Sequence, residues 1–572
     1  MSFFQQPPRL GNTYRSDVVL REHLERLLPP DVLLEVVPQL EALGAAAASD
    51  GELTRLADQA EASPPRLVPY DPWGRRIDRV EVSDAWLALH AAQARAGLAA
   101  LPHEGRYGPY GRVVQHALLH LYGPSSAVFT CPVAMTDAAV RVLRDHAQPS
   151  LRDRVVSRLL ARDPQRAWTC GQWMTEREGG SDLSRHATVA RLDPDADPRQ
   201  DGAWRLHGTK WFTSAVTADC ALVLARPEGP DGASRPGSGG LALFLVERVH
   251  PRSGVVQVGT TILVNRLKDK LGTRALPTAE LTLDGAAATA VGGVEAGVRK
   301  MAGMLNVTRV HNAVSAAAGM RRGTDLAVAY ARVREAFGRP LAELPLHRAT
   351  LDALAVEAEA AFALVADVMA RLGQAESGTL PEGAAGAERG RRALRALIPL
   401  AKLLTAKDAV AHASEVLECF GGAGYIEDTG IPRLLRDAQV LPIWEGTTNV
   451  LSLDLLRAER RDGAVSALLD ELRETAAALA GPRLARTAAL LEGAATGLAK
   501  EVRGWPSSDD TELQAGLRGF ALRLGRASAA AALAVHAAHR LARHGDPRAA
   551  HVAAAYASRR LGAGAAHAGM SE

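Results

Sequence analysis

Cysteine is scarce in this chain, and so are aromatic side chains. Cys131, Cys170, Cys220 and Cys419 are the four cysteines among 572 residues, and none forms a Cys-x-x-Cys pair. That spacing argues against a disulfide framework and a cysteine-based zinc site, and no resident metal is expected. Phe, Tyr and Trp make up only 4% of the residues, whereas Ala and Arg are abundant, so helices should dominate. No apolar stretch is long and uninterrupted enough to cross a bilayer, and no membrane partner is expected. The start, Met1-Ser2-Phe3-Phe4-Gln5-Gln6-Pro7-Pro8, lacks the basic region and apolar run of a signal peptide. The expected location is cytoplasmic. No internal repeat is visible.

The composition is that of an ordinary soluble globular protein, 47% hydrophobic and 23% charged. A chain of 572 residues is too long for one core, so about three or four domains are expected. Residues 1–167 read as helices, with apolar residues three and four apart over Val18–Leu28, Asp31–Ala46, Glu52–Ala62 and Asp84–Ala99. Arg112–Tyr122 and Ala134–His146 are two further helices, and Pro64–Gly74 is a proline-punctuated loop. Residues 168–290 change character. Ala187–Leu192, Ala203–Leu206, Ala221–Ala225, Leu241–Val246, Val255–Gly259 and Thr278–Leu283 are short β-prone runs separated by Gly, Pro and Asp. They predict a small antiparallel barrel or sandwich. Helix returns over residues 291–457, in Glu295–Ala336 with Gly319 as a candidate kink, then Glu343–Leu372 and Ala393–Phe420. Gly373–Gly390 reads as a poorly ordered linker between them. Leu451–Arg460 opens the last helical region, and residues 458–572 form a helical extension. The fold class is therefore mainly α with a central β-barrel domain.

Five short stretches carry candidate chemistry. In Trp444-Glu445-Gly446-Thr447-Thr448-Asn449 a carboxylate sits between a bulky apolar ring and a glycine. Partial desolvation disfavours its charge and makes it a stronger general base. The same residues could instead open a helix, with Thr447 or Thr448 as cap. Met174-Thr175-Glu176-Arg177-Glu178-Gly179-Gly180-Ser181-Asp182 exposes backbone N–H groups able to hold a phosphate or a ring edge, or is a plain turn. In Lys210-Trp211-Phe212-Thr213-Ser214 a Trp and a hydroxyl two residues on share one face of an extended chain. They suit a flat ring, although a lone Trp is more often core. Arg334, in Arg334-Glu335-Ala336-Phe337-Gly338-Arg339-Pro340, is either a helix-end residue or a phosphate clamp. Cys419-Phe420-Gly421-Gly422-Ala423-Gly424-Tyr425 has more glycine than a helix stop requires, which suggests close approach of another backbone or a cofactor.

In this order and at these separations, the five stretches resemble the motifs of the flavin-dependent acyl-CoA dehydrogenases over about residues 100–457. Cys131-Pro132-Val133-Ala134-Met135-Thr136, Trp444 and the extension are similar to the AidB-like subgroup, the bacterial alkylation-response proteins. The resemblance implies a helical, β-barrel and four-helix-bundle arrangement, FAD as cofactor and an acyl-CoA substrate. It matches Glu445 to the base that takes the α-proton while hydride leaves the β-carbon for the flavin. Met174 and Thr175 match contacts to the ring's polar edge, and Ser181 a position near the pyrophosphate. Trp211, Thr213 and Ser214 match residues packed on or bonded near the ring. Arg334, Phe337, Gly421, Gly422 and Gly424 match positions that hold FAD across a dimer interface, which implies a homo-oligomer, expected to be a tetramer. Thr447 and Asn449 match flavin contacts after the base, and Arg309 an arginine near base and substrate. Trp444 stands where the family usually has tyrosine and crowds the acyl site, which favours a short or branched acyl chain.

From Gln514 onward eight arginines face only Asp546 and Glu572. In AidB-like proteins this region is implicated in DNA binding. Arg518, Arg540, Arg543, Arg559 and Arg560 are accordingly expected to meet duplex phosphates without reading sequence. The alternatives are a solvated helix face or a subunit contact. Three functions compete: an FAD-dependent acyl-CoA dehydrogenase, a DNA-associated protective flavoprotein, and an acyl-CoA oxidase.

Overall fold

A computed structural model describes residues 5–380 and 384–562 of the chain. Two compact units emerge. One is helical and gathers Met1–Gly51, Gly105–Pro124 and Arg309–Glu572; the other gathers Glu52–Glu104 and Ser125–Thr308 around a β-barrel.

In the barrel unit the helix Glu52–Ala62 is followed by a hairpin, β1 (Arg66–Tyr70) and β2 (Arg76–Glu81), where a proline-punctuated loop was expected. Asp71 accounts for the difference. Its carboxylate accepts from Trp73 N and Arg75 N, both at 2.9 Å, and fixes the turn that brings the strands together. Seven further strands follow: β3 (Cys170–Trp173), β4 (Val189–Leu192), β5 (Trp204–Ser214), β6 (Cys220–Pro227), β7 (Ala242–Glu247), β8 (Ile262–Leu267) and β9 (Thr278–Ala290). Pairing runs β6–β4–β5–β9–β7 and returns to β6, a closed ring without free edges, with β3 added on β6 and β8 on β9. Trp173, Trp204, Leu206, Phe244 and Leu281 fill the interior.

Three features depart from the expected antiparallel barrel. β3 and β4 both run parallel to β6. Val255–Gly259 contributes only isolated bridges, because Gln257 uses its side chain to hold Glu247 O and Ala287 N instead of continuing a ladder. β8 takes the place assigned to it. β3 escapes a pattern search because Gly171 interrupts it, a residue whose Cβ would lie 2.7 Å from Trp173 Nε1.

The helical unit is built on Gly297–Val333, Pro345–Ser377 and Ala384–Cys419, of 37, 33 and 36 residues. Arg309 onward of the first belongs to this unit. It runs unbroken past Gly319. At its C-terminal end Tyr330 stacks on Phe420 with ring centroids 4.6 Å apart, among Leu351, Leu354 and Val416. The expected linker Gly373–Gly390 is shorter than its composition suggests, since helix extends to Ser377 and resumes at Ala384; residues 381–383 lie outside the described residues. Gly373 is helical, and it is glycine because a Cβ there would lie 2.1 Å from Pro109 O.

The extension forms Ala464–Ala478, Ala485–Gly504, Asp510–His544 and Arg548–Leu561 and belongs to the same helical unit. Its alanine-rich stretch is buried from Ala529 to Ala534, and Gly525 lets Leu404 approach. Ion pairs complete the attachment. Arg540 meets Glu22 at 3.3 Å and Glu25 at 3.1 Å, Arg548 meets Glu22 at 2.6 Å and Glu359 at 2.8 Å, and Arg559 and Arg560 share Glu357. The tail's last residues, 563–572, lie outside the described residues. Among the described residues no helix is long and apolar enough to cross a membrane, and no group of three or more His, Cys, Asp and Glu side chains could hold a metal ion. All four cysteines are free thiols.

Candidate base loop and cofactor faces

In the helical unit, Glu445 stands outside the helix that follows it. Thr447 caps Thr448–Asp462 by accepting from Val450 N, so the capping alternative holds for Thr447. Glu445 itself sits two residues earlier in a left-handed turn, with φ of 56°, followed by Gly446 at 100°. A non-glycine residue there costs on the order of 1 kcal/mol, so its surroundings must hold it in place. They do so through both carbonyls. Arg309 Nε donates to Glu445 O at 3.3 Å, and Lys402 Nζ donates to Gly446 O at 2.6 Å. Upstream, Asn312 accepts from Trp444 Nε1 and donates to Leu441 O at 3.3 Å, which pins the indole against Gly297–Val333.

Arg309 is buried and held in turn by Asp454 at 2.9 Å, which Arg395 also grips at 2.6 Å. Burial pushes the Asp454 carboxyl up, but Arg395 and Arg309 outweigh it and hold it below the usual carboxylate range. Lys402 is fully buried. That burial brings its ammonium down to about 7; the Glu445 charge opposes the drop and Arg309 adds to it. The sequence reading missed Lys402, Asn312, Asp454 and Arg395. Lys402 did leave a signal: it is the one charged side chain in the apolar run Ile398–Leu404.

Arg334, Phe337 and the glycine turn, also predicted residues of this unit, lie at the far end of Gly297–Val333. Arg334 and Phe337 belong to the short hairpin of β10 (Glu335–Ala336) and β11 (Arg339–Pro340), where Phe337, at φ 53°, leaves its ring 94% exposed. Gly421, Gly422 and Gly424 form the turn after Phe420, which stacks on Tyr330 in the same helix end. A Cβ on Gly421 or Gly422 would meet nothing, whereas one on Gly424 would lie 2.0 Å from Leu417 O, so Gly424 serves the chain's own turn. From Arg309 to Val333 the helix rises about 36 Å. Glu445 and Arg309 are therefore brought together, and Arg334, Phe337 and the glycine turn are not brought to them. Asn449 accepts from Arg518 Nη1 at 3.0 Å. Of the arginines expected to meet DNA, Arg518, Arg540, Arg559 and Arg560 thus contact groups of the same unit, and Arg543 is exposed.

In the barrel unit, the ladder between β5 and β9 slips between Lys210 and Thr213, a bulge that turns Trp211 and Phe212 outward together. Lys268 Nζ lies 3.8 Å from the Trp211 ring centroid and 4.7 Å from that of Phe212. Thr213 points inward, its hydroxyl donating to Ala279 O at 2.6 Å, and Ser214 meets Thr278 at 3.3 Å. The loop after β3 is tied to this strand, since Trp211 N donates to Thr175 O at 2.9 Å. Below it Glu176 is buried and accepts from Lys210 Nζ at 2.7 Å, Thr188 Oγ1 at 2.5 Å and Ala187 N at 2.6 Å. Burial raises the Glu176 carboxyl, yet Lys210 outweighs it and leaves it below its ordinary value. Gly180 packs against Thr175, whose hydroxyl would lie 2.5 Å from a Cβ there and would have to turn aside. Met174 and Thr175 are half-buried and Ser181 is exposed. This unit therefore gathers Met174, Thr175 and Trp211 around one bulge.

Each unit by itself offers a surface that suits part of a flat, partly apolar cofactor with a polar edge. Trp211 and Phe212 in one unit and Phe337 in the other are large rings held outward by backbone geometry, with open space at Gly421 and Gly422.

Comparison with known proteins gives the family. The profile described as "Acyl-CoA dehydrogenase, C-terminal domain" matches residues 295–459, "Acyl-CoA dehydrogenase, middle domain" residues 171–286, and "Adaptive response protein AidB N-terminal domain" residues 5–164. Acyl-CoA dehydrogenase family member 11 of Caenorhabditis elegans is 43% identical over 459 residues, covering 80% of this chain and 72% of that protein. Putative acyl-CoA dehydrogenase AidB of Escherichia coli (strain K12) is 34% identical over 483 residues, 82% of each chain. The solved structure of Caenorhabditis elegans ACDH-11 in complex with C11-CoA superposes with a TM-score of 0.89 at 38% identity, covering 98% of this chain and 93% of that one.

Proposed function

The chain belongs to the acyl-CoA dehydrogenase family, an FAD-dependent class of oxidoreductases, and carries an AidB-like N-terminal domain; from this we propose that it performs the α,β-dehydrogenation of an acyl-CoA with Glu445 as the base. The observation that carries the reading is the left-handed Glu445–Gly446 turn with both carbonyls held by buried cations. An α-hydrogen of a thioester is a weak acid, so its removal needs a carboxylate fixed in one orientation. Arg309, Lys402 and Asn312 supply that fixation from two helices. When bound, FAD supplies hydride acceptance from the β-carbon. Trp211 and Phe212 give the ring an aromatic face, and the Met174–Thr175 loop gives its polar edge backbone partners. Arg334, Phe337 and the Gly421–Gly422 turn lie at the other end of the Gly297–Val333 helix from Arg309, which supports assigning them to the FAD of a second copy. On that assignment the active form is at least a dimer, and we read it as a tetramer.

Trp444 favours a short or branched acyl chain. The relative solved with C11-CoA makes a chain of that length the one to compare. Anaerobic bleaching of the FAD-loaded protein by isovaleryl-CoA, butyryl-CoA and undecanoyl-CoA tests both base and substrate. Glu445→Gln should bind FAD and abolish bleaching; persistent bleaching would assign the proton to another group. Rapid reoxidation of the reduced protein by oxygen would instead favour the oxidase reading.

A duplex-DNA partner and a part in the response to alkylated DNA follow from the AidB-like relationship alone. The exposed Arg543 is the residue of the predicted set best placed for such contact. A salt-dependent duplex titration decides it, because phosphate contacts must weaken steeply with salt.

A further inference from the structure

Lys402 is a cation whose position is unfavourable unless something nearby requires it. It is fully buried in the middle of Ala384–Cys419, and among the described residues its hydrogen-bond partner is Gly446 O alone, at 2.6 Å. An ammonium can donate three hydrogen bonds, and desolvating one with a single partner is costly. The charges acting on it are Glu445, which favours the ammonium, and Arg309 of Gly297–Val333, which opposes it. Asp454 of Thr448–Asp462 and Arg395 are the other ionised groups of the cluster; Asp454 grips Arg309 and Arg395 but contributes no resolved pull on Lys402. A methionine or leucine would pack at this position without that cost. The compensation for Lys402 is thus found in the base turn itself.

We propose that Lys402 is the positioning residue of the base loop. It fixes the left-handed Glu445–Gly446 turn through the Gly446 carbonyl, and it balances the Glu445 carboxylate while that carboxylate waits for the thioester. The inference rests on Glu445 being the base. Its physical content is a pair of carbonyl anchors on consecutive residues: Arg309 holds Glu445 O and Lys402 holds Gly446 O. With one anchor the turn keeps an axis about which it can swing, and with two it is fixed. A displacement of the base by about 1 Å is enough to cost on the order of 100-fold in rate. Charge balance makes a second, separable contribution. When Glu445 takes up the α-proton its negative charge disappears, and with it the attraction for the Lys402 ammonium held at the adjacent Gly446 carbonyl, so removing that ammonium is expected to move the acid limb of the pH profile.

The test uses the full-length FAD-loaded protein and whichever acyl-CoA bleaches the wild type. Lys402→Met removes donor and charge, Lys402→Gln keeps a donor without charge, and Lys402→Arg keeps both. Lys402→Met should bind FAD fully, slow flavin reduction by about 10- to 100-fold through kcat with KM little changed, and move the acid limb of the pH profile upward. Lys402→Gln should show the same limb shift with a smaller rate loss, and Lys402→Arg should recover both. In the protein without FAD, amide hydrogen exchange across residues 441–449 should quicken in Lys402→Met and stay slow in Lys402→Arg. Wild-type reduction rate and pH limb in Lys402→Met would overturn the proposal, as would a rate loss with no limb shift in Lys402→Gln. If Glu445→Gln still reduces flavin, the base assignment itself fails, whatever the Lys402 variants do.

Discussion

Lys210 Nζ lies 2.7 Å from Glu176 Oε1, and neither side chain is reached by solvent. The pair joins the loop after β3 to the bulged strand β5, so the chain segments bearing Thr175 and Trp211 share one buried ionic bond. Removing one partner leaves an uncompensated charge inside the barrel. Glu176→Gln or Lys210→Met should therefore destabilise the protein by about 3–5 kcal/mol. The double change to Gln and Met should cost less than the sum of the two. Urea unfolding of all three variants measures this, and FAD retention shows whether the ring-facing surface has shifted.

The Trp444 indole is fixed by Asn312, so the volume it occupies is not recovered by a rotamer change. Trp444→Tyr should raise kcat/KM for undecanoyl-CoA relative to isovaleryl-CoA by about tenfold or more. Asn312→Leu should loosen the same ring and blunt the discrimination, and because Asn312 also holds Leu441 O of the base segment it should slow both substrates. A chain-length panel on the two variants checks the prediction.

Asp17 makes acid stability specific. It is fully buried where it accepts from Leu20 N at 3.0 Å and His120 Nε2 at 3.1 Å, with Arg321 at 3.6 Å. Burial pushes its carboxyl up, yet Arg321 and His120 prevail and bring it down to about 2. The folded value lies below the unfolded one, so this stabilisation is complete above about pH 4 and is lost as pH falls towards 2. Asp17→Asn should lower stability at pH 7 by on the order of 2 kcal/mol and flatten the melting curve's dependence on acid. Thermal melts between pH 7 and pH 3 compare the two proteins.

The arginines of the extension divide by what they touch. Arg540 reaches Glu22, Glu25 and Asp546, so Arg540→Ala should lower the melting temperature and its effect should persist in moderate salt. Arg543→Ala should leave melting unchanged. If duplex DNA binds here, Arg543→Ala should weaken it and reduce the salt slope by about one.

The order of elements was readable because alanine-rich helices and short apolar strands differ in period. Glu52–Ala62 matches its predicted span, and Gly297–Val333 differs from its expected span by a turn or less at each end. Irregular segments were not readable. The hairpin at Asp71 depends on a side chain capping a turn, and β3 and β4 run parallel to β6 because of pairings between segments distant in sequence. The base turn was visible as a motif, yet its conformation was not, since a left-handed glutamate leaves no mark in composition. Lys402 lies 43 residues from Glu445, and only folding shows that its ammonium meets the Gly446 carbonyl.

The length of Gly297–Val333 has a genetic consequence. A chain with Glu445→Gln keeps an intact Arg334–Phe337 cradle, and a chain with Arg334→Ala and Phe337→Ala keeps an intact base. Each is expected to be inactive alone. Mixed in one oligomer, they should complement: one of the two sites of a heterodimer then has its base from one parent and its cradle from the other, both unaltered.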